Sequence, residues 1–336
     1  MIGNQDFVVA EYYARTGLED AGLRTLALAD MEMPQLQTHV MPDGARVRYA
    51  AFGNVADAET VLATSLPWST FLDDDSTMVR LKAQSMVLFD TVCVVGIEAY
   101  RPDPCGYFTR HEKRKLKSGD FRPVAERFMG VVEALDLQDD QELDVMGFSF
   151  AADTAVETAY QNLTDAQFGV RPIDRLTVVE CARTRKLAHI PIIGALKAGL
   201  QFGASGKDLY DNVVASNSRA LLEARGIDED DSRAQKRHDR AVAKGVLEYI
   251  QGDLSGNLAL AEGFAQDTSA TQLHIVAESP DAPKLIVGRA SRSKVCPPEF
   301  LDGFDQRVKT FTVEGDHSVA DKLSNSGGLA RMAVGR

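Results

Sequence analysis

Four short apolar runs constrain most strongly what this chain can fold into: ETVLATSLP (59–67), DTVCVVGIEA (90–99), ELDVMGF (142–148) and RLTVVECA (175–182). Strands buried on both faces lack polar alternation and read as near-continuous apolar runs of this length. Between them, residues 77–88, 121–135 and 150–162 carry apolar side chains at helical spacing. Strands alternating with helices in this way predict the α/β class: a mostly parallel, doubly wound sheet with helices on both faces. An opening hairpin over LQTHVMPDGARVRYAAFG (36–53), turning at Asp43-Gly44, adds an antiparallel edge. Two more strands are expected at TQLHIVAES (271–279) and RVKTFTVEG (307–315), and a closing helix over 319–333. Residues 100–120, with Pro102, Pro104, Gly106 and a basic run from Arg110 to Lys117, read as loop.

The rhythm breaks in two places. Residues 1–35 read as an N-terminal helical extension, with Phe7, Val8, Tyr12, Leu18, Leu23, Leu26 and Leu28 on broad apolar stripes. From Arg183 to Ala270 no strand pattern occurs, so 183–270 is expected to be a helical insertion on a core made of 36–182 and 271–336. Within it, DEDDSRAQKRHDR (228–240) reads as a solvated face. The apolar IPIIGALKAGLQF (190–202) is either a lid over a pocket or the insertion's own core. With 336 residues, 44% of them apolar, the chain can bury a large core without disulfide or metal staples. A net charge of −12 argues against a nucleic-acid surface, which needs clustered positive charge.

Cys93, Cys105, Cys181 and Cys296 form no CxxC pair and no zinc spacing with histidine, so they are expected to be free thiols, with Cys93 and Cys181 inside apolar strands. No stretch approaches the ~20 apolar residues of a spanning helix. MIGNQDFVVAEYY is unlike a secretory signal, and the expected location is the cytoplasm. GASGKD (203–208) departs from a phosphate loop at Gln201 and Asp208, and neither HExxH nor a strand–GxGxxG–helix unit occurs.

The chemistry concentrates at GFSFA (147–151), where a strand gives way to a helix. Ser149 there is either an ordinary helix N-cap or a nucleophile on a strained turn. Small residues at Gly147 and Ala151 are what the second reading needs, because strand and helix backbones approach closely. A serine nucleophile requires a base. Of six histidines, His317 in VEGDHSVAD follows the last expected strand, at the sheet edge where open α/β folds bind ligands. The acid that orients it is expected to be Asp281 in AESPDAP, with Glu278 the runner-up and Glu180 a third option. Oxyanion donors are expected at the backbone N–H of Phe150 and, in the loop after ETVLATS, of Leu66 or Trp68, since Pro67 has none. Trp68 either lines an acyl pocket or is plain packing.

With these residues in view, the chain resembles the α/β-hydrolase superfamily over about 36–182 and 271–333. The likeness rests on the PDGARVRYAAFG hairpin, the GFSFA elbow, the AESPDAP turn and the GDHS turn, in the order serine, acid, histidine. Where many members carry His-Gly, this chain reads SLPW. The resemblance implies a hydrolase core with a helical cap at 183–270, no cofactor or metal, and a serine hydrolase cleaving an ester or related acyl bond. An acyltransferase, or a non-catalytic binding or scaffold protein on the same fold, are the alternatives. The expected partner is a small hydrophobic acyl substrate; a homodimer is left open.

Overall fold

A computed structural model describes residues 34–66, 75–88, 91–100, 107–169, 171–181, 253–264, 266, 268–317, 319–321 and 323–335. The expectations for residues 1–33, for Trp68, for Cys105 and for the insertion up to residue 252 lie outside the described residues.

Among the described residues, eight strands form one sheet: β1 (Gln37–Val40), β2 (Arg46–Phe52), β3 (Thr60–Ser65), β4 (Val92–Glu98), β5 (Glu142–Phe148), β6 (Arg175–Val179), β7 (Lys284–Ala290) and β8 (Lys309–Val313). Their order is β1-β2-β4-β3-β5-β6-β7-β8. β1 and β2 pair antiparallel and β2 joins β4 antiparallel, while every pairing from β4 onward is parallel. The hairpin turns at Gly44, which adopts φ +86, and Asp43 accepts the Ala45 N–H at 2.9 Å. The α/β, doubly wound architecture is therefore as the apolar runs predict.

Among the described residues, seven α-helices flank the sheet: α1 (Asp75–Leu88), α2 (Arg110–Lys117), α3 (Arg122–Ala134), α4 (Phe150–Thr164), α5 (Leu254–Phe264), α6 (Thr268–Glu278) and α7 (Leu323–Ala333). One sheet face, with Val61, Ala63, Val95, Val145 and Val178, packs against residues of α3, α4, α5 and α6. The other, with Leu62, Val94, Met146 and Val179, packs against α1 and α7. The alternation along each strand follows directly from the two-residue pleat.

Three departures have physical causes. The basic run expected as loop is helix α2, started by a capping box in which Thr109 and Glu112 satisfy each other's backbone N–H groups. The stretch 271–279, expected as a strand, is helix α6. Its buried residues Ser269, Ala270, Leu273 and Val276 repeat every three to four positions, and Ile275 between them is 43% exposed. The true seventh strand is KLIVGRA, in which Gly288 hides the signal. A Cβ there would come within 2.0 Å of the Phe311 ring, so the aromatic ring on β8 requires a glycine opposite it. Leu254–Phe264, assigned to the insertion, packs on α2, with Phe264 stacked on Phe121 at 4.7 Å.

Candidate active site

Ser149 sits directly after β5 and directly before α4, with φ +57 and ψ −126. A non-glycine residue in that region stores strain and persists only where its surroundings over-determine it. The surroundings do so. The Ser149 N–H donates to Val179 O at 2.9 Å, and Ser149 O accepts from Ala152 N–H at 2.9 Å. Gly147 lets the helix start on top of the strand: a Cβ there would lie 2.4 Å from Ala151 O and 2.7 Å from Ala152 Cα, both backbone atoms. The Ser149 side chain makes no cap bond to α4. It turns instead to His317, with Oγ 2.8 Å from Nε2.

His317 follows β8. Its Nδ1 lies 2.5 Å from Glu180 Oε2, and Glu180 follows β6 with φ +54. The other carboxylate oxygen, Oε1, accepts the Ala290 N–H at 2.5 Å, and the Glu180 N–H donates to Gly288 O at 2.9 Å. A carboxylate on Nδ1 selects the tautomer with hydrogen on Nδ1, leaving the Nε2 lone pair to accept from the serine hydroxyl. Ser149, His317 and Glu180 are 8%, 5% and 0% exposed, so the chain of hydrogen bonds runs in a dry environment. The Phe148 ring packs against the imidazole at 5.5 Å. Among the described residues, no group of three His, Cys, Asp or Glu side chains could hold a metal ion.

Of the expected site residues, the structure thus brings Ser149 and His317 together and sets Phe150 at the first position of α4. It does not bring Asp281 to them. Asp281 and Glu278 are both exposed and both precede β7, and the Asp281 N–H donates to Ser279 Oγ at 3.3 Å. They therefore stand at the amino edge of the sheet, whereas Ser149, Glu180 and His317 all follow strand ends at the carboxyl edge. Seven residues of β7 separate the two edges by ~20 Å. The misplaced strand caused the error: had 271–279 been the strand, Asp281 would have followed it. Glu180 was visible as the carboxylate that closes RLTVVE. Leu66 is the second correction. Its N–H extends the β3–β4 ladder by donating to Ile97 O at 2.9 Å, so it is committed to the sheet rather than to an oxyanion.

A separate polar groove of about 330 Å³ lies between α2, α4 and α6, lined by Lys115, Asp120, Arg122, Glu157, Tyr160 and Gln272 among others. Glu157 is eight residues beyond Ser149, ~12 Å along the helix, so the groove is remote from the serine. Burial pushes the Glu157 carboxyl above its ordinary range, opposed by hydrogen bonds from Gln161 and Gln272.

No family model matches the sequence, and no curated protein does. Solved structures do match in shape. The epoxide hydrolase CorEH is 14% identical with a TM-score of 0.56, covering 89% of this chain and 97% of that one. A hydrolase from Pseudomonas aeruginosa PA01 is 15% identical with a TM-score of 0.55, covering 90% and 99%. The enol-lactonase from Burkholderia xenovorans LB400 is 13% identical with a TM-score of 0.53, covering 89% and 98%. The sheet order, the turn after β5 and these shared shapes agree, and the chain is an α/β-hydrolase-fold protein.

Proposed function

We propose that this protein is a serine hydrolase that cleaves an ester or related acyl bond through an acyl-enzyme, with Ser149, His317 and Glu180 as its triad. The observation that carries the reading is the unbroken line Ser149 Oγ–His317 Nε2 (2.8 Å), His317 Nδ1–Glu180 Oε2 (2.5 Å). The neighbours named as hydrolases are consistent with it.

Ser149 Oγ attacks the acyl carbon as His317 Nε2 takes the hydroxyl proton, and the carbonyl π pair moves onto oxygen. Collapse of that oxyanion breaks the bond to the leaving group, which leaves with the proton from Nε2. Water then attacks the acyl carbon as Nε2 takes its proton, and collapse of the second oxyanion breaks the bond to Ser149 Oγ, which takes the proton back from Nε2 as the acid leaves. Glu180 stays ionised throughout, holds the imidazole and stabilises its charged form. Phe150 N–H lies in the first turn of α4, where the helix N-terminus favours negative charge.

An acyltransferase would use the same groups with another acceptor in place of water, and product analysis with and without an added alcohol or amine separates the two. A non-catalytic role on this fold would leave the serine and histidine beyond hydrogen-bond reach, and 2.8 Å speaks against it. The experiment is hydrolysis of p-nitrophenyl acyl esters together with fluorophosphonate labelling. Both activities are expected in the purified protein, and Ser149→Ala is expected to lose both, with a fall on the order of 10⁶ in kcat. Equal labelling of the Ser149→Ala protein sinks the proposal.

A further inference from the structure

Near the proposed site, one buried cation is spent on main-chain oxygens. Arg289, the last residue but one of β7, is 6% exposed. It continues the column of Leu285 and Val287 on the α4 side of the sheet, where another apolar residue would be the ordinary choice. Its Nε donates to Cys296 O at 2.9 Å, and its Nη2 donates to Ser293 O at 2.9 Å and to Ser291 O at 3.4 Å. Ser293, Val295 and Cys296 are buried, and a buried carbonyl needs a partner. A guanidinium, with five donors in one rigid plane, holds several carbonyls of one loop at once.

The N–H side of the same loop binds the acid and the elements that carry the histidine. Three consecutive amides do this. Ala290 N–H donates to Glu180 Oε1 at 2.5 Å, Ser291 N–H to Val313 O at the end of β8 at 2.8 Å, and Arg292 N–H to Gly315 O at 3.0 Å. Gly315 N–H returns a bond to Ser291 Oγ at 3.2 Å, so both main-chain polar groups of Gly315 are held by the loop. Gly315 has φ +140 and lies two residues before His317. The carbonyl of Ser291 and the N–H of Arg292 are opposite ends of one planar trans peptide. The guanidinium that holds that oxygen therefore sets the direction of the N–H that holds the histidine turn.

We propose that Arg289 is a positioning residue of the triad: its grip on the 291–296 loop sets the alignment of His317 Nδ1 on Glu180 Oε2. This assignment rests on the serine-hydrolase reading. Arg289 touches neither substrate nor the reacting atoms and moves no proton. It acts through two links, the Ala290 amide on the acid and the Ser291–Gly315 and Arg292–Gly315 bonds on the histidine turn. Misplacing a catalytic group by about 1 Å costs on the order of 10² in rate, so a brace of this kind acts on kcat.

The test compares wild type, Arg289→Met, Arg289→Lys, Ser291→Ala, Glu180→Gln and Ser149→Ala. Three quantities are read: kcat and KM on p-nitrophenyl acetate, thermal unfolding, and the downfield proton NMR signal of the His317 Nδ1–H···Oε2 bond. Loss of that signal in Glu180→Gln assigns it. Arg289→Met keeps an unbranched apolar stem and removes every donor. It is expected to lose about 10–10² in kcat with KM within about threefold, and to lose or shift the downfield signal. Arg289→Lys should recover part of both. Ser291→Ala, which cuts only the exposed bond to Gly315, should shift the signal at an unchanged melting temperature. Arg289→Met that melts lower but keeps kcat within about threefold and the signal in place makes Arg289 a packing residue and overturns the assignment, while the triad stands if Ser149→Ala is inactive. Should Arg289→Met not fold, wild-type kcat and signal in both Arg289→Lys and Ser291→Ala overturn it equally. If wild type neither hydrolyses nor differs from Ser149→Ala, the hydrolase reading fails and this assignment fails with it.

Discussion

Glu180→Gln is the sharpest probe of the proposed triad, because the geometry dictates which way the new amide must turn. Each oxygen of the Glu180 carboxylate receives one donor: Oε1 from Ala290 N–H and Oε2 from the Nδ1 side of His317. A glutamine offers one oxygen and one NH₂. If its NH₂ faces Ala290, two donors confront each other in a site 0% exposed, at a cost of about 1–3 kcal/mol. The Ala290 amide belongs to β7 and cannot turn away. The imidazole can adapt by moving its hydrogen from Nδ1 to Nε2. The amide oxygen is therefore expected on Ala290 and the NH₂ on Nδ1, which then accepts. Nε2 now carries hydrogen and no longer accepts the Ser149 proton. A triad locked in the wrong tautomer loses ~10⁴ in kcat, equivalent to about 5.5 kcal/mol of barrier. The assay is steady-state hydrolysis of a p-nitrophenyl ester, with circular dichroism to show that the fold is kept. Asp281→Asn and Glu278→Gln, at the opposite sheet edge, should stay within about twofold of wild type. A Glu180→Gln enzyme within tenfold of wild type, or an equal loss in Asp281→Asn, refutes the reasoning.

Gly147→Ala should destabilise the protein by about 1–3 kcal/mol, since its Cβ meets helix backbone at 2.4 Å and not a movable side chain; urea unfolding measures the loss. Gly288→Ala should likewise lower the unfolding midpoint, because the Phe311 ring has to leave its place at 2.0 Å. A third prediction concerns pH. Burial pushes the Asp144 carboxyl up to about 7 from its ordinary value of 3.8, although Arg175 lies 2.9 Å away and pulls it down. The folded state then holds a proton that the unfolded chain gives up, so this group's contribution is fully present below about pH 4. It is lost as pH rises through about 7. Asp144→Asn should flatten the stability profile between those limits, and unfolding midpoints across that range that keep the wild-type slope would count against it.

Periodicity made most of the sheet legible, because β3, β4, β5 and β6 are covered on both faces and hydrophobicity alone marks them. Ser149 and His317 were legible for a related reason: each follows an apolar run, so their shared edge could be read from chain order. Where the reading failed, burial did not announce itself as an apolar run. β7 contains Gly288 beneath Phe311 and Arg289, a buried arginine that donates to Cys296 O and Ser293 O at 2.9 Å each. The preceding helix α6 contains HIVA, which is apolar enough to imitate a strand. That exchange of one element carried the acid to the wrong edge. The Leu66 error has a different origin: which amide continues a ladder is a property of register, and register between β3 and β4 is set by pairing rather than by the local sequence.

The same cross-strand bonds explain why strain can be held where it is. Among the described residues, Asp136, Ser149 and Glu180 are the non-glycine positions with positive φ. Two of them are the proposed nucleophile and acid. Each is anchored by an N–H to the next strand, Ser149 to Val179 O and Glu180 to Gly288 O. The third link returns the other way, from Ala290 N–H to the Glu180 carboxylate. The turns after β5 and β6 are thereby tied in series to β7, and the acid is gripped on the oxygen that does not face histidine. An acid after β7 would lack this arrangement, because Ala290 could not then supply an amide to the side chain from a neighbouring strand end. Placing the carboxylate one strand earlier sets it between the serine turn and the last β7 amide, so the orientation of His317 is fixed by the parallel ladder itself.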